Sequence, residues 1–116
     1  MLVYQLKVEI KPGKMDEFIK SINSFPHRIR KEKGCLGYSL YRDCEKENVY
    51  LVTGDWETRQ SMEKHFQTPD FEILIGAGRV LGETFTISIA EVSKTGGIEL
   101  AREQMVSRQG RSTDAE

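Results

Sequence analysis

The sequence predicts an α+β domain of the ferredoxin-like kind, with strands and helices in the order βαββαβ around one antiparallel sheet. Three observations carry this. Three segments alternate from residue to residue between two faces, one of them apolar, and a fourth of strand length is apolar on both faces. Two stretches between them repeat apolar residues at spacings of three and four. Glycine and proline fall at the junctions, where the period changes.

Taken in order, Leu2, Tyr4, Leu6, Val8 and Ile10 share one face of a first strand, with Val3, Gln5, Lys7 and Glu9 on the other. Lys11-Pro12-Gly13 breaks it. From Lys14 a helical stripe runs through Met15, Phe18, Ile19, Ile22, Phe25 and Ile29. Pro26 lies inside the stripe and predicts a kink or a second short helix. His27 to Lys33 reads as a solvated basic helix end, closed by Gly34 as a C-cap would close it. A second strand, Cys35 to Asp43, sets Leu36, Tyr38 and Leu40 against Gly37, Ser39 and Tyr41, with Arg42 and Asp43 expected to pair at the hairpin end. The third, Val49 to Trp56, is apolar on both faces: Tyr50, Val52 and Trp56 on one, Val49, Leu51 and Thr53 on the other. Such a strand needs cover on both sides.

Thr58 is the expected N-cap of a short helix carrying Met62, His65 and Phe66 on one flank. Thr68-Pro69 starts another, with Phe71, Leu74 and Ile75 on its apolar side, ending through Gly76 and Gly78. Phe85, Ile87 and Ile89 alternate with polar residues in a last strand. The domain is thus expected to occupy residues 1–95. A tail, 96–116, follows, in which Ile98, Ala101 and Met105, with Leu100 alongside, form one edge of a short helix over Ile98 to Arg108. Arg108 to Glu116 offers no apolar anchor and reads as disordered.

Composition narrows the function classes. The 116 residues suit one domain. Seventeen Lys+Arg against 18 Asp+Glu leave a net charge of −1, so no basic footprint speaks for nucleic acid. Mean hydropathy is −0.49 and no apolar run is long enough to span a membrane. With no leader signature at the N-terminus, a cytoplasmic location is the expectation. If Cys35 and Cys44 share a strand, their sulfurs lie about 30 Å apart at ~3.3 Å per residue, which excludes an internal disulfide. No metal-type Cys/His spacing and no glycine-rich phosphate loop occurs. Two helices on one sheet face leave Val3, Val49 and Leu51 bare on the other, or their opposite-parity neighbours, and a homodimer packed sheet to sheet would cover them.

Several segments together resemble the antibiotic biosynthesis monooxygenase family: Pro12-Gly13-Lys14 before a helix, Gly34-Cys35-Leu36-Gly37-Tyr38 into a strand, Asp55-Trp56-Glu57 at a strand end, Ser61 to Phe66, and Thr68-Pro69-Asp70-Phe71. The likeness runs from Val3 to Val92. It implies a dimeric α+β barrel and, as in several members, a cofactor-independent monooxygenase oxidising quinols or anthrones with molecular oxygen. Relatives degrade haem or isomerise a small sugar derivative. The family's helix start often reads Thr-Pro-His-Phe, whereas this chain has Asp70 in place of that histidine.

A cofactor-free oxygenase needs a base near neutrality, an apolar pocket and a few donors, because the deprotonated substrate is itself the reductant. His65 is the expected base. Trp56 is the expected ring-stacking wall, and Tyr38 and Tyr4 the expected hydroxyls at the substrate. Flavin, haem and metal are not expected. Each assignment competes with a plainer one: a satisfied core histidine, a core tryptophan, core tyrosines. Cys35 reads as a small buried residue rather than a nucleophile. Two rival functions stand beside the first: a haem-binding or haem-degrading barrel with His65 on iron, and a non-catalytic ligand-binding or stress-response barrel.

Overall fold

The computed structural model describes residues 1–110. The chain runs β1 (Leu2–Ile10), α1 (Met15–Ile22), α2 (Phe25–Ile29), β2 (Cys35–Arg42), β3 (Val49–Trp56), α3 (Arg59–Phe66), α4 (Pro69–Leu81), β4 (Gly82–Glu91) and α5 (Ile98–Gly110). The four strands form one antiparallel sheet in the order β2-β3-β1-β4. The expected α+β ferredoxin-like architecture is the one found.

β1 lies at the centre because it is the strand with an unbroken apolar face. Leu2, Tyr4, Leu6, Val8 and Ile10 are all buried against the helices. Proline does split the first helical stripe. α1 ends at Ile22, and α2 restarts with Pro26 in its first turn, where the missing N–H has no partner to lose. Thr58 caps α3 through a reciprocal pair with Ser61, and Thr68 accepts from the Phe71 amide at the start of α4.

Four expectations are corrected. α4 does not stop at Gly76 or Gly78 but continues to Leu81. Gly78 is a packing residue: a Cβ there would sit 2.6 Å from the Phe85 ring, so its absence lets α4 lie close on β4. Gly34 does not cap α2, which ends at Ile29; it turns the chain into β2 at φ +84°. Leu36 leaves the face of Tyr38 because a register shift between Cys35 and Gly37 makes it the extra residue of a bulge, and it is exposed. Arg42 and Asp43 do not pair: Arg42 ends β2, and Asp43, just past it, is engaged by the turn that follows. Arg42 reaches Glu47, while Asp43 accepts from the amides of Glu45 and Lys46.

The face of the sheet away from the helices carries Val3, Val49 and Leu51, as the alternation requires, beside Gln5, Lys7 and Thr53, but these three are not bare as expected: Val49 is buried within the chain and Val3 and Leu51 are half-buried. Both thiols are free. The helix expected from Ile98 extends to Gly110, two residues beyond Arg108; the rest of the tail, 111–116, lies outside the described residues. Ile98, Met105 and Val106 are exposed on α5. The radius of gyration, 17.3 Å, exceeds the ~13 Å of a compact chain this long, as expected for a helix standing off the domain. No helix among the described residues is long and apolar enough to cross a membrane.

Candidate active site

The site begins with sheet register. Tyr38 of β2, Gly54 of β3 and Tyr4 of β1 are paired in one row across the sheet, so all three face the helices. Gly54 sits between the two tyrosines and has no side chain to separate them. A Cβ on it would lie 2.9 Å from Tyr4 Cε2 and 3.1 Å from Tyr38 Cδ1. Over that gap the tyrosines lean together, and the Tyr4 hydroxyl is placed to donate to Tyr38 at 3.1 Å.

His65 comes down onto this row from α3. Its ring is wholly buried, with Nε2 2.6 Å from the Tyr4 hydroxyl. Nδ1 lies 3.1 and 3.2 Å from the two carboxylate oxygens of Glu32. The Thr68 hydroxyl, donating to the His65 carbonyl at 2.7 Å, ties the end of α3 to the start of α4. Around the imidazole, Trp56 stacks at 4.6 Å and 29°, Tyr4 at 5.5 Å and 25°, and Phe71 meets it edge-on at 5.4 Å. The result is a continuous polar chain, Tyr38–Tyr4–His65–Glu32, inside an aromatic sleeve.

The sleeve sets the electrostatics. Desolvation disfavours imidazolium and lowers the pKa of His65 from 6.5 to about 4, against a small opposing pull from Asp70. Desolvation raises Tyr38 to about 12 and Tyr4 further still. Glu32 is raised above the usual carboxylate range, first by burial and then by the negative charge of Asp70. Cys35 is also raised, mainly by burial, which suits its reading as an inert thiol.

Each hydroxyl carries one proton, so the directions of these hydrogen bonds are linked. With Tyr4 donating to Tyr38, Nε2–H donates to Tyr4 and Nδ1 accepts from a protonated Glu32. With every bond reversed, Nδ1–H donates to an ionised Glu32 and Tyr4 donates to Nε2. The imidazole is neutral in both.

Tyr38 also lines a crevice between sheet and helices, with Ile22, Phe25, Pro26, Leu40, Val52 and Leu74. Its free volume is about 10 Å³, room for about one water molecule. Arg28 of α2 and Asp70 of α4 join the helices through a two-pronged ion pair, at 3.0 Å from Nε and 2.8 Å from an Nη. Asp70, where the resembling family often has histidine, is thus a clasp between helices. The Trp56 indole N–H is buried without an acceptor among the described residues, a costly state for a donor.

The structure brings together all four residues singled out in the sequence: His65, Trp56, Tyr38 and Tyr4. Sequence reasoning missed Glu32, taken there as part of a solvated basic end. An acidic residue within a run of Arg and Lys was the one local sign of it. Both ring nitrogens of His65 are occupied, one by Tyr4 and one by Glu32, so this arrangement does not fit an axial ligand to haem iron. Among the described residues no cluster of three or more His, Cys, Asp or Glu could hold a metal ion.

A model of the antibiotic biosynthesis monooxygenase family matches residues 1–74. The uncharacterized protein sll1783 of Synechocystis sp. is 34% identical over 89 residues, 76% of this chain and 60% of that protein. The chain therefore spans about three fifths of that relative's length. YcnE of Bacillus subtilis, named as a candidate monooxygenase, is 28% identical over 81 residues, 70% of this chain and 85% of that one. A crystal structure from Deinococcus radiodurans, named as a candidate antibiotic biosynthesis monooxygenase, superposes with a TM-score of 0.76 at 19% identity, covering 84% of this chain and 97% of its own. At that identity the likeness is one of fold.

Proposed function

The chain belongs to the antibiotic biosynthesis monooxygenase family, and on that premise we propose that it is an oxidoreductase placing one atom of molecular oxygen into a small aromatic substrate of the quinol or anthrone type. The observation that carries this reading is the buried imidazole of His65, with Nε2 2.6 Å from the Tyr4 hydroxyl and Tyr4 in contact with Tyr38 at the crevice.

The chemistry balances without a further reductant. A hydroquinone and O₂ give a hydroxyquinone and water; an anthrone and O₂ give an anthraquinone and water. Loss of a proton from the phenol or the activated carbon leaves an electron-rich anion. That anion passes electrons to O₂, a C–O bond forms as a hydroperoxide, and loss of water leaves the carbonyl. In this reading His65 accepts the proton through Tyr4 and Tyr38. Trp56 lies outside the crevice lining, fully buried and stacked on His65, so in this reading it backs the imidazole instead of forming the expected wall against the substrate ring. The apolar crevice lining disfavours water around the anion's counter-charges and so sharpens each polar contact.

An aromatic ring needs on the order of 150 Å³, so the crevice must widen as substrate enters. Phe25 and Pro26 of α2 and Leu74 of α4 form its walls, and the Arg28–Asp70 pair spans the same two helices. Separation of α2 from α4 is the motion that fits.

We further propose that two copies pack through the sheet face bearing Val3, Val49 and Leu51, which the family resemblance and that face's alternation both support. The cytoplasm is the proposed location, supported by two free thiols. Oxygen uptake over a panel of hydroquinones and anthrones, with isotopically labelled O₂, tests the activity. One labelled oxygen in the product, together with a ~10²–10⁴-fold loss in His65→Ala, is the expected result. Saturable aromatic binding without uptake would make the protein a ligand-binding barrel instead.

A further inference from the structure

We propose that Glu32 is the outlet of a proton relay: Tyr38, Tyr4 and His65 pass the substrate's proton to the Glu32 carboxylate while the imidazole stays neutral throughout. This rests on the oxidative reading above for its substrate, but not for its geometry.

The difficulty it resolves is physical. A wholly buried histidine is a poor place to leave a positive charge, and its surroundings offer that charge no compensation beyond Glu32 and a pull from Asp70 that burial outweighs. A base that must become imidazolium would work against its own surroundings. The chain of contacts removes the need. All its links, at 3.1, 2.6 and 3.1 Å, are within hydrogen-bond reach.

The transfer can be written proton by proton. Before it, Tyr38 O–H donates to Tyr4, Tyr4 O–H donates to Nε2, and Nδ1–H donates to the ionised Glu32. The substrate then gives its proton to the Tyr38 oxygen. Tyr38 gives its own to Tyr4, Tyr4 gives its own to Nε2, and Nδ1 gives its proton to Glu32. Every donor and acceptor has reversed, the substrate is an anion, Glu32 is a carboxylic acid, and no ring has changed charge. The acid can then shed its proton to water, because the Glu32 side chain is 25% exposed whereas His65 is fully buried.

Glu32 suits the role through its neighbours. The groups facing the relay are Tyr4 from β1, Cys35 and Tyr38 from β2, and Asp70 from α4, itself held by Arg28 of α2. Arg30 turns away to donate to the Tyr38 carbonyl at 2.9 Å. Burial first, and then the like charge of Asp70, favour a carboxyl able to hold a proton at Glu32.

Nitrogen-15 NMR of the His65 ring in the wild-type protein, followed across the titration of Glu32, tests this without any turnover. The expected result is a single ring N–H that moves from Nε2 to Nδ1 as Glu32 ionises. In Glu32→Gln, whose amide oxygen can accept from Nδ1 but cannot be protonated there, the ring should hold one tautomer at every pH. Quinol turnover in that variant should fall ~10²-fold or more, with partial recovery in Glu32→Asp. Three results would overturn the relay: both ring nitrogens protonated together over this range, a tautomer indifferent to pH, or undiminished turnover in Glu32→Gln. If that variant does not fold, the wild-type spectrum alone decides. If no quinol is oxidised yet the tautomer switches, the relay stands and the oxidative reading fails.

Discussion

Replacing Tyr4 by Phe removes one oxygen atom and should disturb the site more than any other change of that size. The ring would keep its edge contacts with Phe66 at 5.2 Å and Phe71 at 5.8 Å, so apolar packing is nearly unchanged. Two hydrogen bonds disappear, to Tyr38 and to Nε2 of His65. The loss falls mainly on the imidazole, which is fully buried and has no second partner on that side. A buried polar group left without its partner costs about 1–3 kcal/mol. For a domain of this size each kcal/mol lowers Tm by roughly 4–8 °C. Urea unfolding, followed through the single tryptophan that stacks on His65, should show a lower midpoint with an unchanged slope. Tyr38→Phe should cost less, because Tyr38 stands at the end of the chain and loses one bond. A Tyr4→Phe protein as stable as the parent, or one harmed less than Tyr38→Phe, would show that the chain of contacts is not formed in solution.

Gly54→Val places bulk where Tyr4, Tyr38 and the Trp56 indole already converge; overpacking of about 1–3 kcal/mol or more is expected by thermal denaturation, with turnover lost alongside stability. His65 should make stability fall on acidification: its pKa is about 4 folded and 6.5 unfolded, so the unfolded chain binds the extra proton between those values. The effect, on the order of 3 kcal/mol, is complete above about pH 6.5, is lost as pH drops towards 4, and is partly offset by Glu32, whose raised folded pKa acts in the opposite sense. Unfolding of His65→Gln at two pH values should show a flatter acid limb. Val49→Lys with Leu51→Lys should yield monomer or aggregate by light scattering, and a folded dimer would refute sheet-to-sheet assembly.

Much of the architecture was legible because it rests on local patterns. Period-two alternation put Tyr4 and Tyr38 on the helix side, and Thr58 marked where α3 begins. What escaped depends on events across the sheet. The bulge that expels Leu36 arises from pairing with β3, and nothing within β2 announces it. Gly78 looked like a helix terminator because glycine usually is one; its role is set by Phe85 on another element. Glu32 was invisible for the same reason. It lies in a polar turn thirty-three residues from His65, and only the placement of α3 over that turn brings the two within 3.1 Å.

The two ends of the polar chain are not alike, and the difference gives it a direction. A buried hydrogen-bond network is stabilising only when every member is satisfied, and an apolar core of the same volume would often serve stability as well. At the Glu32 end the network closes, with both carboxylate oxygens against Nδ1 and solvent within reach. At the other end it stays open. Tyr38 reaches the crevice, and whichever way the hydroxyl protons point, it makes one hydrogen bond through its oxygen where it has capacity for more. Close by, the Trp56 indole N–H has no acceptor among the described residues. A chain that ends on a carboxylate in reach of solvent and begins at an apolar crevice suits passage of a proton from crevice to solvent, the direction the proposed relay takes.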